Sequence, residues 1–320
     1  MLRLQIDDDV ERAYVLTFLS TPTGQALLTR SKTGNVIDHL SANDLSSVHV
    51  PFFEASFTGS VAKLMTRAVK EREKARLRLD QLVQEFEATL PAIKAEDQLK
   101  NGWTQNAAAL CGRLDSAAYV PAVDSVRRAL SEMGGQPVKQ VADAFMPNRY
   151  KRLYVESGFG RPILSGRQLL QINPVNLQYI AAHALDVDEF ALGVGTLVFG
   201  ARGRAEERIA LPALITEERA SWLASHNVMR VRPHSTVNPG WLYLCFATEH
   251  VQIQVKASAF GSVIDVVDPA NLGEVVLPKY SDTLGSSAFD CWRSFEAANE
   301  LEKKAISMLE TKILESAGVC

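Results

Sequence analysis

Two stretches of this 320-residue chain decide its fold because they repeat each other: YVLTFLSTPTGQALLTR at residues 14–30 and WLYLCFATEHVQIQVKA at residues 241–257. Extending the alignment outward at the same offset of 227 places residues 2–51 over residues 229–278 without a gap, with twelve of the fifty positions identical. Solenoid repeats have periods of about 20–50 residues, so a period this long indicates duplication of a whole domain with its helix. We expect the first copy to lack the front half that precedes the second.

Each copy of the repeat runs into a long helical pattern whose apolar positions recur with alternating spacings of four and three, as in a coiled coil. The first seam comprises Val61, Met65, Ala68, Arg72, Ala75, Leu79, Leu82 and Phe86, and the second comprises Ala288, Trp292, Phe295, Asn299, Glu302, Ile306, Leu309 and Ile313. Both seams become polar at the centre. We predict an antiparallel helix pair whose register is set by Arg72, Asn299 and Glu302, through a contact between Arg72 and Glu302. The alternative is that these polar residues are simply solvated.

The patterns divide the chain into segments with different structure. The first segment contains a short predicted strand at 2–6, a helix over 10–30 and a strand ending at 48–51. Later β-type runs with frequent glycine and proline indicate an irregular, strand-rich domain. We therefore predict an α+β fold made of a partial domain, a long helix, a linker, a complete domain and a second long helix, at residues 1–57, 58–95, 96–107, 108–283 and 284–320, respectively.

Composition excludes several classes of protein. A hydrophobic content of 47% is typical of a soluble globular chain, and no apolar run reaches the roughly 18 residues that span a bilayer. The N-terminus MLRLQIDDD is acidic where a signal peptide is basic and then apolar, so a cytoplasmic location without membrane contact is the expectation. The four cysteines, at 111, 245, 291 and 320, have neither zinc-ligand nor disulfide-framework spacing.

A search for catalytic sequence patterns finds none. The GARGR stretch at 200–204 lacks the Lys-Ser/Thr ending of a phosphate-binding loop, and the chain contains no GxSxG and no HExxH. His226, beside a predicted strand, is more typical of a packed or capping histidine than of a general base. We therefore expect no catalytic residue, no metal and no cofactor in this chain.

Basic residues on predicted loops are the feature that suggests a function. The run NRYKRLYVESGFGRPILSGRQ at 148–168 carries five Arg or Lys residues against one acid, with aromatic residues interleaved, and GARGRAEER at 200–208 is a smaller example. Arg and Lys neutralise phosphates, while Arg and Gln can read base edges in the major groove. An isolated surface Arg is usually just solvated. The clustering favours DNA binding, and the candidate residues are Arg149, Lys151, Arg152, Arg161, Ser165, Arg167, Gln168, Arg202 and Arg204.

Together these patterns resemble the DNA-specificity subunit of type I restriction-modification systems. The stretch YVLTFLSTPTGQALLTRSKTGNVIDHLSANDLSSVHVP at 14–51 is similar to the end of a target recognition domain in that family. LGVGTLVFGARGRAEERIAL at 192–211 resembles a strand pair of such a domain, and GRLDSAAYVP at 112–121 resembles its entry. NVMRVRP at 227–233 is similar to the strand before the last helix, so the resemblance covers nearly the whole chain.

The resemblance implies a non-catalytic subunit with a pseudo-twofold repeat. In that family two recognition domains each read half of a bipartite site in double-stranded DNA, spaced by antiparallel helices that dock methyltransferase subunits. Those subunits, two of them, would use S-adenosylmethionine to methylate adenine, and a restriction or translocase subunit would join them. This sequence departs from the family at its first domain, so we expect that a separate chain or a second copy completes it, or that the chain is a truncated product with one working domain.

Two other classes remain open at the level of sequence. In an interaction or scaffold protein, the heptad helices would be the functional part and DNA would not be read. An enzyme would turn over S-adenosylmethionine and DNA by itself, which is the observation that separates it from a specificity subunit.

Overall fold

The computed structural model describes residues 3–30, 41–93, 102–110, 113–182, 187–203, 209–261 and 264–318. The chain forms two compact units, and the boundary between them falls within both long helices. The small unit comprises Met1–Ala75 and Ser294–Cys320, and the large unit comprises Arg76–Arg293.

The α-helices of the described residues follow the predicted pattern of short helices and two long ones. They are α1 (Asp9–Ser20), α2 (Pro22–Thr29), α3 (Ala42–Ser46), α4 (Ala55–Glu87), α5 (Pro121–Glu132), α6 (Val138–Val141), α7 (Pro239–Ala247), α8 (Glu249–Ser258), α9 (Pro269–Gly273) and α10 (Gly285–Ser316). Short 3-10 helices lie at Ala107–Ala109, Ser116–Tyr119, Gln168–Leu170, Val187–Phe190 and Glu217–Arg219. With the strands below, these elements confirm the predicted mixed fold with two long helices.

The strands are short and lie in the large unit. They are β1 (Gln136–Pro137), β2 (Ala142–Phe145), β3 (Tyr154–Val155), β4 (Gly160–Leu164), β5 (Gln178–Ala181), β6 (Leu197–Gly200), β7 (Arg202–Gly203), β8 (Ala213–Leu214), β9 (Leu223–Ala224), β10 (Val228–Pro233), β11 (Asp265–Val266) and β12 (Val276–Leu277). One antiparallel sheet has the order β2-β10-β6-β8, and a second has the order β3-β5-β4-β9 with β4 and β9 parallel. Because β9 and β10 belong to different sheets, the loop between them joins the two.

The first repeat differs from its prediction at one proline. Instead of one helix over 10–30, α1 ends at Ser20 and α2 begins at Pro22, with Thr21 between them. Thr21 is extended, and its Oγ1 accepts a hydrogen bond from the Gly24 amide at 2.9 Å, which caps α2. Proline is well suited to the first position of a helix but cannot donate an amide hydrogen bond to a preceding turn. This is why the chain restarts a helix there.

The antiparallel pair is visible within the small unit. Val61 and Met65 of α4 belong to the same buried cluster as Ala305 and Leu309 of α10. Further along α4, Arg72 contacts residues earlier in α10. Residue numbers therefore rise along one helix as they fall along the other, which defines the antiparallel direction.

The small unit is also tied together by a helix cap. The Glu310 carboxylate of α10 accepts hydrogen bonds from the Thr23 amide at 3.2 Å and from Thr23 Oγ1 at 2.7 Å. A carboxylate at the first turn of a helix satisfies free amides and interacts favourably with the helix dipole. The first repeat is thus fastened to the helix that follows the second repeat.

The repeat is preserved at the level of single hydrogen bonds. In the second copy Thr248 takes the place of Thr21, starting α8 as Thr21 starts α2. The side-chain Nε2 of Gln25 donates to the Leu19 carbonyl, and the side-chain Nε2 of Gln252 donates to the equivalent Phe246 carbonyl at 2.7 Å. Identical residues therefore perform identical local tasks in both copies.

The two copies of the repeat differ in strand structure, because among the described residues only the second copy forms part of a sheet. β10 is paired on both edges, by β2 and β6, and Val231 on it is fully buried. The equivalent residues 3–6 are not a strand, and Leu4 there is 52% exposed. The strands predicted at 2–6 and 48–51 are absent from the described part of these ranges, because the described small unit offers no strand to pair with them.

Candidate nucleic-acid interface

A cleft in the large unit collects part of the basic run. One wall is the extended segment that leads into β3, and the other is the loop from β9 to β10. Its volume is about 660 Å³. The lining residues, none of which is acidic, are Arg149, Tyr150, Lys151, Arg152, Tyr154, Ser225, His226 and Asn227.

Arg152 is held in place at the centre of this cleft. Its Nη2 donates to Ser225 Oγ at 2.9 Å and lies 3.3 Å from His226 Nδ1, and its Nη1 lies 3.3 Å from the Tyr154 hydroxyl. The guanidinium also lies over the Tyr150 ring, 5.5 Å from its centroid. A guanidinium only donates hydrogen bonds, so His226 accepts through Nδ1 and carries its proton on Nε2.

The pKa of His226 reflects the positive charges around it. Burial lowers the pKa of His226, and the positive charges of Arg152, Arg202 and Arg149 lower it further, in that order. Both effects disfavour the protonated ring. The structure places Arg202 of β7 near Arg149, Lys151 and Arg152, because the amide of the preceding residue, Ala201, donates to the carbonyl of Asn227 in the cleft loop at 3.0 Å.

Tyr150 forms the buried side of the cleft. Its ring stacks on Phe190 with centroids 3.8 Å apart, and its hydroxyl lies 3.4 Å from the Ala224 carbonyl. Burial raises the pKa of Tyr150, while the nearby charges of Arg152 and Arg230 oppose that rise. Tyr150 is therefore a neutral, stacked residue at neutral pH.

Arg230 supports both walls from within the core. It is 1% exposed, and its guanidinium donates to the carbonyls of Ala224 at 2.9 Å and Val228 at 3.0 Å, the residues that bracket the loop 225–227. A further contact of 3.4 Å reaches the Phe190 carbonyl, below Tyr150. Burial lowers the pKa of Arg230 to about 10, so it remains charged at neutral pH. A buried charge is costly unless it is well hydrogen-bonded, and here backbone carbonyls accept from Nη1 and Nη2, whereas the buried Nε has no hydrogen-bond partner among the described residues.

The structure places the turn residues of the RPILSGRQ segment differently. Arg161 donates to the Ser221 carbonyl, at 2.7 Å through Nε, and to the Asp188 carboxylate at 2.6 Å. The Gln168 amide oxygen accepts from the Ser165 amide at 3.0 Å and from its hydroxyl at 2.9 Å. Arg161 therefore links β4 to the segment before β9 and to the 3-10 helix Val187–Phe190, whereas Gln168 holds its own turn, and none of these side chains lines the cleft.

Two candidates remain outside these groups. Arg167 is exposed at the start of the 3-10 helix Gln168–Leu170 and does not line the cleft. Arg204 lies outside the described residues.

The predicted register residues do meet in the small unit. Arg72 Nη2 donates to Asn299 Oδ1 at 3.0 Å and to the Glu302 carboxylate. Arg72 and Asn299 are equivalent positions of the 227-residue repeat. In an antiparallel pair of equivalent helices, a residue can contact its own equivalent only near the local twofold axis. The contact between Arg72 and Asn299 therefore marks the centre of the helix pair.

Metal-ligating side chains and thiols are the other groups of the described residues for which the sequence makes predictions. They contain no group of three or more His, Cys, Asp or Glu side chains arranged to hold a metal ion. Cys245 and Cys291 are buried free thiols, and burial raises the pKa of both. Cys111 and Cys320 lie outside the described residues. Among the helices that are described, none has the length and apolar character needed to cross a bilayer.

Reasoning from the sequence missed Ser225, Asn227 and Arg230. Ser225 and Asn227 carry no sequence signal of their own, because only the fold brings their loop opposite residues 149–154. Arg230 offered one, since a charged residue interrupts the apolar strand NVMRVRP at a position whose side chain points to the core. A charge in a buried strand is unusual enough to suggest a structural or functional task.

Comparisons with known proteins give structural neighbours only. No protein-family model and no curated protein matches the chain. The crystal structure of the HsdS subunit from Thermoanaerobacter tengcongensis is similar with 13% identity and a TM-score of 0.38, over 93% of this chain and 68% of that one. The type I restriction-modification S subunit from M. genitalium is similar with 12% identity and a TM-score of 0.38, over 97% and 71% of the two chains.

A restriction enzyme is also among the neighbours. The type IIG restriction endonuclease BpuSI is similar with 13% identity and a TM-score of 0.40, over 63% of this chain and 33% of that one. Because all these TM-scores lie below 0.5, the function proposed below rests on the residues of this chain.

Proposed function

We propose that this chain is a DNA-specificity subunit of a type I restriction-modification complex and that its domain at 108–283 binds a half-site of double-stranded DNA. The observation that carries the proposal is the cleft lined by Arg149, Lys151 and Arg152 with no acidic lining residue, beside which Arg202 follows Ala201, whose amide donates to the Asn227 carbonyl at 3.0 Å. The chain as a whole is slightly acidic, with a net charge of −3, so this concentration of positive charge is local. A local basic surface on an otherwise acidic protein is the electrostatic footprint expected of a nucleic-acid site.

The long helices are proposed to space the recognition domains and to dock two methyltransferase subunits. The contact of Arg72 with Asn299 and Glu302 supports a fixed register, which a spacer of defined length requires. In this proposal the chain itself is not catalytic and holds no cofactor. S-adenosylmethionine would be bound by the methyltransferase subunits, and a restriction or translocase subunit would join the complex.

The small unit is proposed to bind a further chain that completes the first recognition domain, or a second copy of this one. The support is the contrast between equivalent residues, since Val231 is buried by paired strands and Leu4 is exposed. Such a partner would add the second half-site.

The experiment that tests the function is selection from a random duplex library. The full-length chain would be reconstituted with its methyltransferase subunit, and bound DNA would be sequenced after several rounds. Enrichment of one motif, together with S-adenosylmethionine-dependent methylation at that motif, is the expected result. The chain alone is expected to give no methylation. If no motif were enriched, the proposal of a DNA-specificity subunit would be refuted.

The alternative function is a coiled-coil scaffold, favoured by the ordered helix pair of the small unit. A scaffold would bind the methyltransferase or another protein through the helices but would show no salt-dependent DNA binding. The same reconstitution separates the two functions, because in a scaffold mutation of the cleft leaves the DNA affinity of the complex and its salt dependence unchanged.

A further inference from the structure

We infer that the cleft between Arg149–Arg152 and Ser225–Asn227 binds a backbone phosphate of the duplex and reads no base. This inference rests on the proposed function and assigns the cleft a task within it, which is to fix the position of the large unit on DNA. The recognition of bases then belongs to other residues of the unit.

The charge of the cleft is the first argument. Arg149, Lys151 and Arg152 line it, Arg202 lies within electrostatic reach of the same His226 ring, and no acidic residue is among the lining residues. Buried Arg230 adds a further positive charge close to Tyr150. Phosphates are anionic and base edges are neutral, so a concentration of cations without a compensating acid fits a phosphate best.

The geometry of Arg152 is the second argument. Reading guanine requires a guanidinium that can turn two parallel N–H groups toward the base. Both terminal nitrogens of Arg152 already have protein neighbours, Nη2 at Ser225 and His226 and Nη1 at Tyr154. Held in this way, Arg152 presents a fixed positive charge. A phosphate accepts hydrogen bonds from many directions and therefore tolerates such a donor.

The remaining polar residues of the cleft do not offer a base reader. Asn227 has the amide group that pairs with adenine, but its Oδ1 is buried. Tyr150 is stacked against Phe190 and is not available to intercalate or stack on a base. The Nδ1 atom of neutral His226 already accepts a hydrogen bond from Arg152 and is therefore not available to a base.

The test is the salt dependence of DNA binding by the full-length chain. Fluorescence anisotropy with one labelled duplex would be measured over a series of NaCl concentrations for the wild type, Arg152→Ala and Arg152→Lys. Arg128→Ala is the matched control, because it removes one exposed positive charge from α5, away from the cleft. Circular dichroism melting would establish that each variant is folded. Selection from the random library would give the sequence preference of each.

The expected result is that Arg152→Ala weakens binding roughly tenfold and reduces the slope of log K against log salt by about 0.9, the value for one lost phosphate contact. The preferred sequence should stay the same. Arg152→Lys should retain the wild-type slope because it retains the charge, and Arg128→Ala should leave affinity and slope unchanged.

Two results would overturn the inference while leaving the proposed function intact. One is a relaxed preference at a single base position with an unchanged salt slope, which would make Arg152 a base reader. The other is an Arg152→Ala variant that binds like the wild type, which would place the cleft outside the DNA interface. A wild-type chain that does not bind DNA even when reconstituted with its methyltransferase subunit would instead refute the proposed function itself, and the inference with it.

Discussion

The contact of Arg72 with Glu302 gives the sharpest prediction about what holds the helix pair in register. Both side chains are partly buried, with 23% exposure for Arg72 and 15% for Glu302. Exposed ion pairs contribute about 0.2–1 kcal/mol, whereas breaking a fully buried pair costs about 3–5 kcal/mol. A pair at this depth, with an added hydrogen bond from Arg72 to Asn299, should therefore have a coupling free energy of about 1–2 kcal/mol.

The measurement is a double-mutant cycle with Arg72→Met and Glu302→Met. Methionine is unbranched and has a helix propensity close to that of Arg and Glu, so the helices themselves should not be weakened. The free energy of local opening would be taken from hydrogen exchange of the amides around residue 72, because the two units need not unfold together. Each single variant should open more easily than the wild type, and the double variant should be less destabilised than the sum of the two.

The matched control lies on the same helix. Arg78 and Glu85 form an Arg–Glu pair at 2.8 Å, but their side chains are 44% and 48% exposed. Their coupling should be below about 0.5 kcal/mol because solvent screens an exposed pair. If the Arg72 and Glu302 cycle gave a coupling no larger than this control, the idea that the contact sets the register would be refuted.

Four further variants, in two pairs, test packing and the turn candidates. Gly240→Ala should destabilise the protein by about 2 kcal/mol or more, since the new Cβ would lie 1.9 Å from the Gly285 carbonyl oxygen. Gly59→Ala, with nothing within 4 Å of its Cβ, should instead stabilise α4 by about 0.5–1 kcal/mol, and thermal melting compares the two. Arg161→Ala should lower stability by about 1–2 kcal/mol without changing the DNA sequence preference, because its guanidinium is bound within the protein. If Arg167 reads a base, Arg167→Ala should lose about 1–3 kcal/mol of DNA binding free energy while its melting temperature stays the same. Unchanged affinity and unchanged sequence preference would remove Arg167 from the candidates.

Local patterns in the sequence determined the repeat, the two long helices and the meeting of Arg72 with Glu302. Helical periodicity depends on residues three and four apart, and a shared frame in two seams indicates which positions face each other. The same logic failed at Thr21, where one proline and one capping side chain outweigh a continuous helical pattern.

The site depended on the tertiary structure. The basic run at 148–168 was recognisable from composition, but composition could not separate Arg152, which lines the cleft, from Arg161, which is bound to Asp188 and the Ser221 carbonyl. The two arginines differ because different residues, distant in the chain, lie next to their side chains. The pairing of strands in the sheets determines these neighbours, and the periodicity of the sequence does not.

The contrast between the two copies shows the same division most directly. Their sequences are sufficient to specify equivalent helices, caps and glutamine hydrogen bonds, since each of these is made within a few residues. They are not sufficient to specify a strand at residues 3–6, because a strand is stable only when neighbouring strands satisfy its backbone groups. Arg230 is buried and supports the cleft because β2 and β6 flank its strand, and this pairing is decided by the tertiary structure.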